Sequence, residues 1–302
     1  MLLKDNESLE FNVNEIDNEI KKNKEYKLEN EKVSILIKNN LNGENEEKYF
    51  SIIEIKNISK YIGILSDNFT KEKIGINYYN NKNIYIGEWK NNLKEGYGLY
   101  IYDKNINNQN QIYIGKWKNG LKSEKGIYII SNNLNLLYFR AYFGEINNEK
   151  IEKGIMIENK EDKQLYKGNI NNYMKNDDNG ILLEGNDKAF FGKFKNDEII
   201  EGNIIKYKLE NEKVIILNIF KINMINNDNY NFHSIDDLNY GNYVQIIHHL
   251  LEKNYFENIK NYYLQLMNIV KEYEDDKIFE KNLNDNNLIN LIKLLKSFED
   301  II

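Results

Sequence analysis

The chain of 302 residues has no cysteine and no proline, a single arginine (Arg140), two alanines (Ala141 and Ala189) and three histidines. Without cysteine there can be no disulfide framework, no thiolate nucleophile and no Cys-ligated zinc or iron–sulfur centre, and a reducing compartment fits. Apolar runs are short, only a few residues each, so no membrane-spanning helix is expected. Met1-Leu2-Leu3-Lys4-Asp5 leads into acidic and amide residues, which offer neither the apolar core of a signal peptide nor a basic transit helix. Leu2 stands where myristoylation needs glycine, and prenylation or palmitoylation would need a cysteine. These features predict a soluble, cytoplasmic protein. Asparagine, lysine and isoleucine dominate instead, a bias of the kind AT-rich codon usage produces, so Asn runs alone carry little chemical meaning. The 23 tyrosines and a hydrophobic fraction of 41% are nevertheless too many for a disordered acidic chain, and they supply a core.

Glycine is sparse but placed with a period. Of 17 glycines, all except Gly43 and Gly241 lie between residues 63 and 202. They define six units, opening at Tyr61-Ile-Gly63, Tyr85-Ile-Gly87, Tyr113-Ile-Gly115, Tyr142-Phe-Gly144, Tyr166-Lys-Gly168 and Phe190-Phe-Gly192. Successive opening glycines are 24, 28, 29, 24 and 24 residues apart, and each unit has another glycine 10 to 12 positions on. Periods of this length are the mark of a repeat architecture.

The best copies, Tyr85-Ile-Gly-Glu-Trp-Lys-Asn-Asn-Leu-Lys-Glu-Gly-Tyr-Gly98 and Tyr113-Ile-Gly-Lys-Trp-Lys-Asn-Gly-Leu-Lys-Ser-Glu-Lys-Gly126, resemble the MORN repeat family, whose unit reads roughly Tyr-x-Gly-x-Trp-x-x-Gly-x-x-x-Gly-x-Gly. The first copy lacks the turn glycine, and the second has Glu124 where the first of the paired glycines belongs. Units one, four, five and six lack the tryptophan and are assigned by spacing. The residues with structural roles in the repeat are then Tyr85, Gly87, Trp89, Gly96 and Gly98, then Tyr113, Gly115, Trp117, Gly120 and Gly126, and the opening glycines Gly144, Gly168 and Gly192.

Each unit makes physical sense as a β-hairpin. Alternation puts Tyr85, Gly87 and Trp89 on one face and Ile86, Glu88 and Lys90 on the other. Asn119-Gly120 is a favoured two-residue turn, because both positions tolerate positive φ. Glycine inside a strand suggests aromatic rings lying flat on bare backbone. One hairpin cannot bury its own face, so the fold expected is mainly β: an elongated single-layer antiparallel sheet of stacked hairpins with a small C-terminal helical region.

The expected organisation is a polar tail (1–25), an N-terminal β cap (26–60), the repeat solenoid (61–206), a closing hairpin and strand (207–233) and a helical region (234–302). Tyr26-Lys-Leu-Glu-Asn-Glu-Lys-Val33 recurs unchanged as Tyr207 to Val214, one copy on each side of the repeats, which suggests two end hairpins that blunt the sheet. From Ser234 the apolar period lengthens. Ser234-Ile-Asp-Asp237 resembles a capping box, and Tyr243, Ile246, Ile247, Leu250 and Leu251 share a helical face. A second helix is expected through Phe256 to Tyr273, docked on the last repeat, and a third, capped by Asn284 or Asp285, carries Leu288, Leu291, Ile292, Leu295 and Phe298.

Residues 61–130 carry ten basic against six acidic side chains, while the whole chain has a net charge of −6. That is far from the footprint of a nucleic-acid binder. His233, His248 and His249 have no further ligands at metal spacing, Gly96-Tyr-Gly98 lacks the third glycine and following helix of a nucleotide loop, and no nucleophile elbow, Walker loop or kinase signature is present. No catalytic, cofactor or metal site is expected. Trp89 and Trp117 recur at one repeat position and so belong to the core. Residues alternating away from them, Tyr97, Leu99, Ile101, Ile127 and Ile129, would form an apolar strip open to partners, and the terminal helix with Leu291, Ile292, Leu295 and Phe298 is the second candidate contact. Lys90, Lys94, Lys116, Lys118 and Lys122 form the candidate lipid patch. The MORN resemblance implies a non-catalytic scaffold for protein partners in cytoskeletal, ciliary or membrane-associated assemblies, often as a homodimer. A phosphoinositide or anionic-membrane module is the alternative it implies, and a regulatory subunit of an enzyme the second.

Overall fold

The structure, a computed structural model, describes residues 24–28, 31–39, 48–55, 59–66, 70–103, 109–131, 138–147, 149–226, 229–234, 241–270 and 285–300. The expected polar tail up to residue 23, the capping residues 235–237 and 284, and Tyr273 lie outside these residues.

The strands are β1 (Lys24–Leu28), β2 (Glu31–Asn39), β3 (Lys48–Ile55), β4 (Ser59–Leu65), β5 (Lys71–Tyr79), β6 (Ile84–Lys90), β7 (Leu93–Tyr102), β8 (Asn110–Lys118), β9 (Leu121–Ser131), β10 (Phe139–Asn147), β11 (Lys150–Asn159), β12 (Gln164–Asn171), β13 (Met174–Lys175), β14 (Asp177–Glu184), β15 (Lys188–Lys195), β16 (Glu198–Glu210), β17 (Lys213–Asn226) and β18 (Asn229–Ser234). They form one long open antiparallel sheet in which strands pair with their neighbours in chain order, and the short β13 and β14 share β12. Among the described residues three helices follow, α1 (Gly241–Glu252), α2 (Tyr255–Val270) and α3 (Asp285–Lys296), the last ending in a 3-10 turn, Ser297–Asp300.

Cross-strand register turns the glycine period into a line across the sheet. Gly63 pairs with Gly75, Gly75 with Gly87, Gly87 with Gly98, Gly98 with Gly115 and Gly115 with Gly126. The row continues through Gly144, Gly154 and Gly168, and again through Gly180, Gly192 and Gly202. It ends at Ser51 on one side and Ile222 on the other. Tyrosine rings lie across this row. A Cβ added at Gly98 would stand 2.5 Å from both Cε2 and the hydroxyl oxygen of Tyr85. The hydroxyls of Tyr61, Tyr85 and Tyr166 donate to the carbonyls of Ile64, Glu88 and Asn169 at 2.9, 3.0 and 2.9 Å. This bond explains tyrosine rather than phenylalanine at the position: a buried hydroxyl needs a partner, and the strand three residues on supplies one.

Hairpin turns depend on asparagine. Asn91-Asn92, Asn119-Gly120, Asn172-Tyr173, Asn196-Asp197 and Asn211-Glu212 all have positive φ at both residues, the geometry of a type I′ turn. Asn92 thus does the work of the missing turn glycine, and the Asn-rich composition is put to conformational use. Adjacent tips are also tied together: Asn92 N–H donates to Lys71 O (3.2 Å), Gly120 N–H to Lys94 O (2.9 Å) and Asp197 N–H to Lys175 O (3.1 Å).

The two copies of the duplicated octapeptide do not behave alike. The first forms the edge hairpin of β1 and β2, with Leu28 opposite Glu31. The second lies at the tip of β16 and β17, with Glu210 opposite Lys213, and β18 follows it as the outer strand. Only the first copy sits at the sheet edge, and Tyr207 lies in the same strand as Gly202, so the expected boundary at 206 falls inside β16. Ser234, expected at the start of a helix, is the last residue of β18.

Alternation gives the sheet two faces. Ile62, Ile76, Ile86, Leu99, Ile114 and Ile127 lie on one, buried in a common cluster with Ile247 and Leu250 of α1, Ile259 and Leu266 of α2, and Leu291 and Leu295 of α3. The helices run back along the sheet, α1 against β17, α2 against β11 and α3 against β7 and β8. They therefore cover well beyond the last repeat. Fully burying a Leu, Ile or Phe side chain is worth roughly 1.5–3 kcal/mol, so this layer contributes heavily to the stability of the repeats.

Candidate functional site

The opposite face carries the tyrosine ladder. Tyr61, Tyr85, Tyr113, Trp89 and Trp117 form a buried cluster that, among the described residues, contains none from the helices. Trp89 packs edge-on to Tyr61 and Tyr85, with centroids 5.5 and 5.0 Å apart, and Trp117 does the same to Tyr85 and Tyr113 at 5.4 Å each. Each indole N–H donates to a glycine carbonyl of the preceding unit, Trp89 to Gly75 (3.1 Å) and Trp117 to Gly98 (3.4 Å). The tryptophans are thus ties between neighbouring repeats, and both are buried.

Above the ladder lies a half-exposed aromatic band. Tyr79 and Tyr100 are 6.0 Å apart, Tyr100 and Tyr102 4.7 Å, Tyr102 and Tyr128 5.9 Å, and Tyr128 stacks on Tyr173 at 5.5 Å. Lysines lie between the rings. Lys71 Nζ sits 4.8 Å from the Trp89 ring, Lys94 Nζ 4.1 Å from Trp117 and 4.9 Å from Tyr100, and Lys122 Nζ 5.0 Å from Tyr113. Burial lowers the Lys94 ammonium to a pKa of about 8; Glu149 pulls it up and Lys122 pushes it further down. Burial likewise lowers Lys122, with Glu149 opposing. The phenols move the other way: burial holds Tyr61 and Tyr85 well above their ordinary range, helped by Glu72 and Glu88 respectively.

The five candidate lipid contacts do not form one surface. Lys94 and Lys122 lie on the tyrosine face. Lys116 lies on the helix face, bound to Glu124 at 2.7 Å and to Glu299 at 3.2 Å. Lys90 and Lys118, which alternate with Trp89 and Trp117, sit exposed at hairpin ends on that same side. The expected apolar strip is covered from within the chain. Leu99 and Ile127 are fully buried, as are Leu291, Leu295 and Phe298, and Ile292 is nearly so. Tyr97 stands 6.2 Å from the Phe298 ring and donates to Glu299 Oε1 at 3.0 Å. The two candidate partner surfaces meet each other, because the amphipathic α3 finds its groove on the chain's own sheet.

Lys71 and the band Tyr79, Tyr100, Tyr102, Tyr128 and Tyr173 are absent from the candidates read from sequence. A signal for the lysines was present: Lys71, Lys94, Lys122 and Lys150 each stand four residues before the second glycine of their unit. Among the described residues there is no group of three His, Asp or Glu side chains able to hold a metal ion, and no helix long and apolar enough to cross a membrane.

A sheet assembled from in-register hairpins, each leaning on the next through ring, glycine and turn, defines a β-hairpin repeat protein. Residues 85–105 and 113–134 match the family model of the MORN repeat, so the hairpins of β6 with β7 and β8 with β9 are two MORN-type repeats within the sheet. Such repeats are known in scaffold proteins and in membrane- or phospholipid-binding proteins, and are generally non-catalytic. No curated protein matches the chain.

Proposed function

We propose that the chain is a non-catalytic scaffold that holds protein partners on its tyrosine face, within a cytoskeletal, ciliary or membrane-associated assembly. The observation that supports this reading is the division of labour between the faces. The helices pack on one, while the other presents a half-exposed band of aromatic rings, and among the described residues no helix side chain enters its clusters. Aromatic side chains offer large contact area at little entropic cost, which suits them to partner recognition. The membrane alternative has less support, since Lys116 lies on the other face from Lys94 and Lys122 and is already neutralised by glutamates.

Proximity labelling in the native cell, comparing the full chain with a Tyr102→Ser, Tyr173→Ser double variant, tests the proposal. Tyr173 is exposed and Tyr102 half-buried, and each makes two ring contacts, so some loss of stability is expected and the variant's β circular-dichroism signal is checked first. Loss of a defined set of neighbours in the variant is expected. An unchanged set, or salt-sensitive sedimentation of the native chain with anionic vesicles that the variant retains, would overturn the reading.

A further inference from the structure

One lysine of the tyrosine face has aromatic rings where the others have oxygen. Lys71 Nζ donates to Asn77 Oδ1 at 2.6 Å, Lys122 stands 3.9 Å from Glu149 with its side chain 14% exposed, and Lys175 is buried 3.6 Å from Asp197. Lys94 is different. Its Nζ lies 4.1 Å from the Trp117 ring, 4.9 Å from Tyr100 and 5.7 Å from Tyr85, and among the described residues it makes no ion pair and no side-chain hydrogen bond. Rings attract an ammonium through their faces but cannot neutralise it. The side chain keeps partial exposure, yet burial has taken enough of its water to lower its pKa to about 8; the charged groups that face it are Glu149, which opposes the shift, and Lys122, which adds to it.

A desolvated amine with no counter-charge is the arrangement that activates lysine as a nucleophile. At pH 7 about one Lys94 side chain in ten carries a free lone pair, against about one in 2,500 for an ordinary surface lysine, a gain of about 200-fold. A weaker base is also a weaker nucleophile, by about 10–15-fold over this interval with the sensitivity known for thiolates. The gain outweighs the loss by at least about tenfold. We propose that Lys94, held among three rings without an anionic partner, is a site of covalent acylation by acyl phosphates. The donor class follows from charge: residues 61–130 carry ten basic against six acidic side chains, which favours the approach of an anionic donor. The Nζ lone pair attacks the acyl carbon, the C–O bond to phosphate breaks, and the departing phosphate takes the proton that the nitrogen gives up. The product is a neutral amide among the same rings, which ends the cost of holding an unpaired charge there and removes one cation from the tyrosine face. The assignment stands whether or not partners dock on this face.

The test exposes the full native chain to limiting acetyl phosphate, then denatures it and completes the labelling with isotopically heavy acetic anhydride, so that mass spectrometry gives the light fraction at each lysine. At pH 7 Lys94 should acetylate at least about tenfold faster than the exposed Lys90 and Lys118, and its rate should level off above about pH 8 while theirs still climbs. Glu149→Gln removes the carboxylate that helps hold the proton on Lys94 and keeps an oxygen for the Lys122 N–H, so it should speed Lys94 further at pH 7. A Lys94 rate no greater than those of Lys90 and Lys118, a rate that climbs like theirs up to about pH 9.5, or slower reaction in Glu149→Gln would overturn the inference. Faster labelling of Lys71 or Lys122 than of Lys94 would do so too, since the rings would then not activate the amine. A neutral acetyl thioester should show a smaller preference for Lys94 than acetyl phosphate does; a larger one would overturn the donor class.

Discussion

Substituting Gly98 by alanine should be one of the costliest single-methyl additions in the chain, and its cost should depend on one partner ring. The three atoms nearest to the added Cβ all belong to Tyr85, at 2.5, 2.5 and 2.7 Å, well inside contact distance, so the ring must move. Tyr85 is fully buried and holds a hydrogen bond to Glu88 O at 3.0 Å. It also makes edge-on contacts with Trp89 and Trp117 at 5.0 and 5.4 Å. Overpacking costs about 1–3 kcal/mol, a lost hydrogen bond about 1, and each disrupted aromatic pair about 0.5–1.5. Gly98→Ala should therefore destabilise by roughly 3–7 kcal/mol. Tyr85→Ala alone should cost about as much as other buried aromatic truncations, roughly 3–5 kcal/mol. With the ring gone, however, the methyl at position 98 has its closest obstacle removed, and alanine in an extended strand restricts the unfolded chain, so the second step should be near neutral or slightly stabilising. Urea unfolding of the wild type, both single variants and the double variant measures the coupling, expected at about 3 kcal/mol or more. Additivity within about 0.5 kcal/mol would refute the idea that the glycine row exists to seat the rings. Gly87→Ala is the internal contrast. Its Cβ would lie 2.5 Å from the Tyr85 hydroxyl oxygen but also 2.6 Å from Gly98 Cα and 2.7 Å from Tyr97 O, backbone atoms that Tyr85→Ala leaves in place, so at most a partial rescue is expected.

Glu124 has φ +55 at the place where unit two has Gly96 at φ +60; Glu124→Gly should relieve left-handed strain of about 1–2 kcal/mol and, after the entropic cost of glycine, stabilise by up to about 1 kcal/mol in thermal melts. Since burial raises the phenols of Tyr61 and Tyr85, their contribution to stability is full below pH of about 10 and is lost as pH rises further, because the unfolded chain ionises first. Urea midpoints should fall above that pH together with tyrosinate absorbance. Lys94, with its pKa lowered to about 8, has the opposite sign: the unfolded state holds the extra proton between about 8 and 10.5, so stability should rise over that window, and the rise should be smaller in Lys94→Met. Removing residues 285–302 should expose Leu99 and Ile127, increase binding of an apolar dye and lower the melting temperature of the β signal; an unchanged melt would show that α3 does not support the sheet.

The β architecture was legible because its signal is periodic and steric. Tyr85-Ile-Gly87 and its five relatives announce hairpins, and the glycine row is the same period folded into register. The role of asparagine was not legible, since a codon bias and a type I′ turn leave the same residue at Asn91 or Asn196, and only the sign of φ separates them. Amphipathicity showed that α3 must bury Leu291 and Leu295 but not against what, because complementarity between residues two hundred positions apart leaves no local pattern. The lysines failed for a different reason. Lys116 and Lys122 are close in sequence, yet Lys116 alternates with Trp117 and so points through the sheet to the other side, a parity available from the sequence alone.

The bond between Tyr97 and Glu299 joins residues separated by 202 positions, and this gives the chain a schedule. Each hairpin can close as soon as it leaves the ribosome, since its partners are its immediate neighbours. The cover for Leu99 and Ile127 is made last. At about 5–20 residues per second, synthesis of the intervening segment takes on the order of 10–40 s. Throughout that interval a nascent chain presents a growing apolar stripe alongside an unfinished strand edge. A chaperone that recognises such stripes has its natural window of action there, and a ribosome stalled before α3 would release a protein whose first repeats, around β7 and β8, lack their cover.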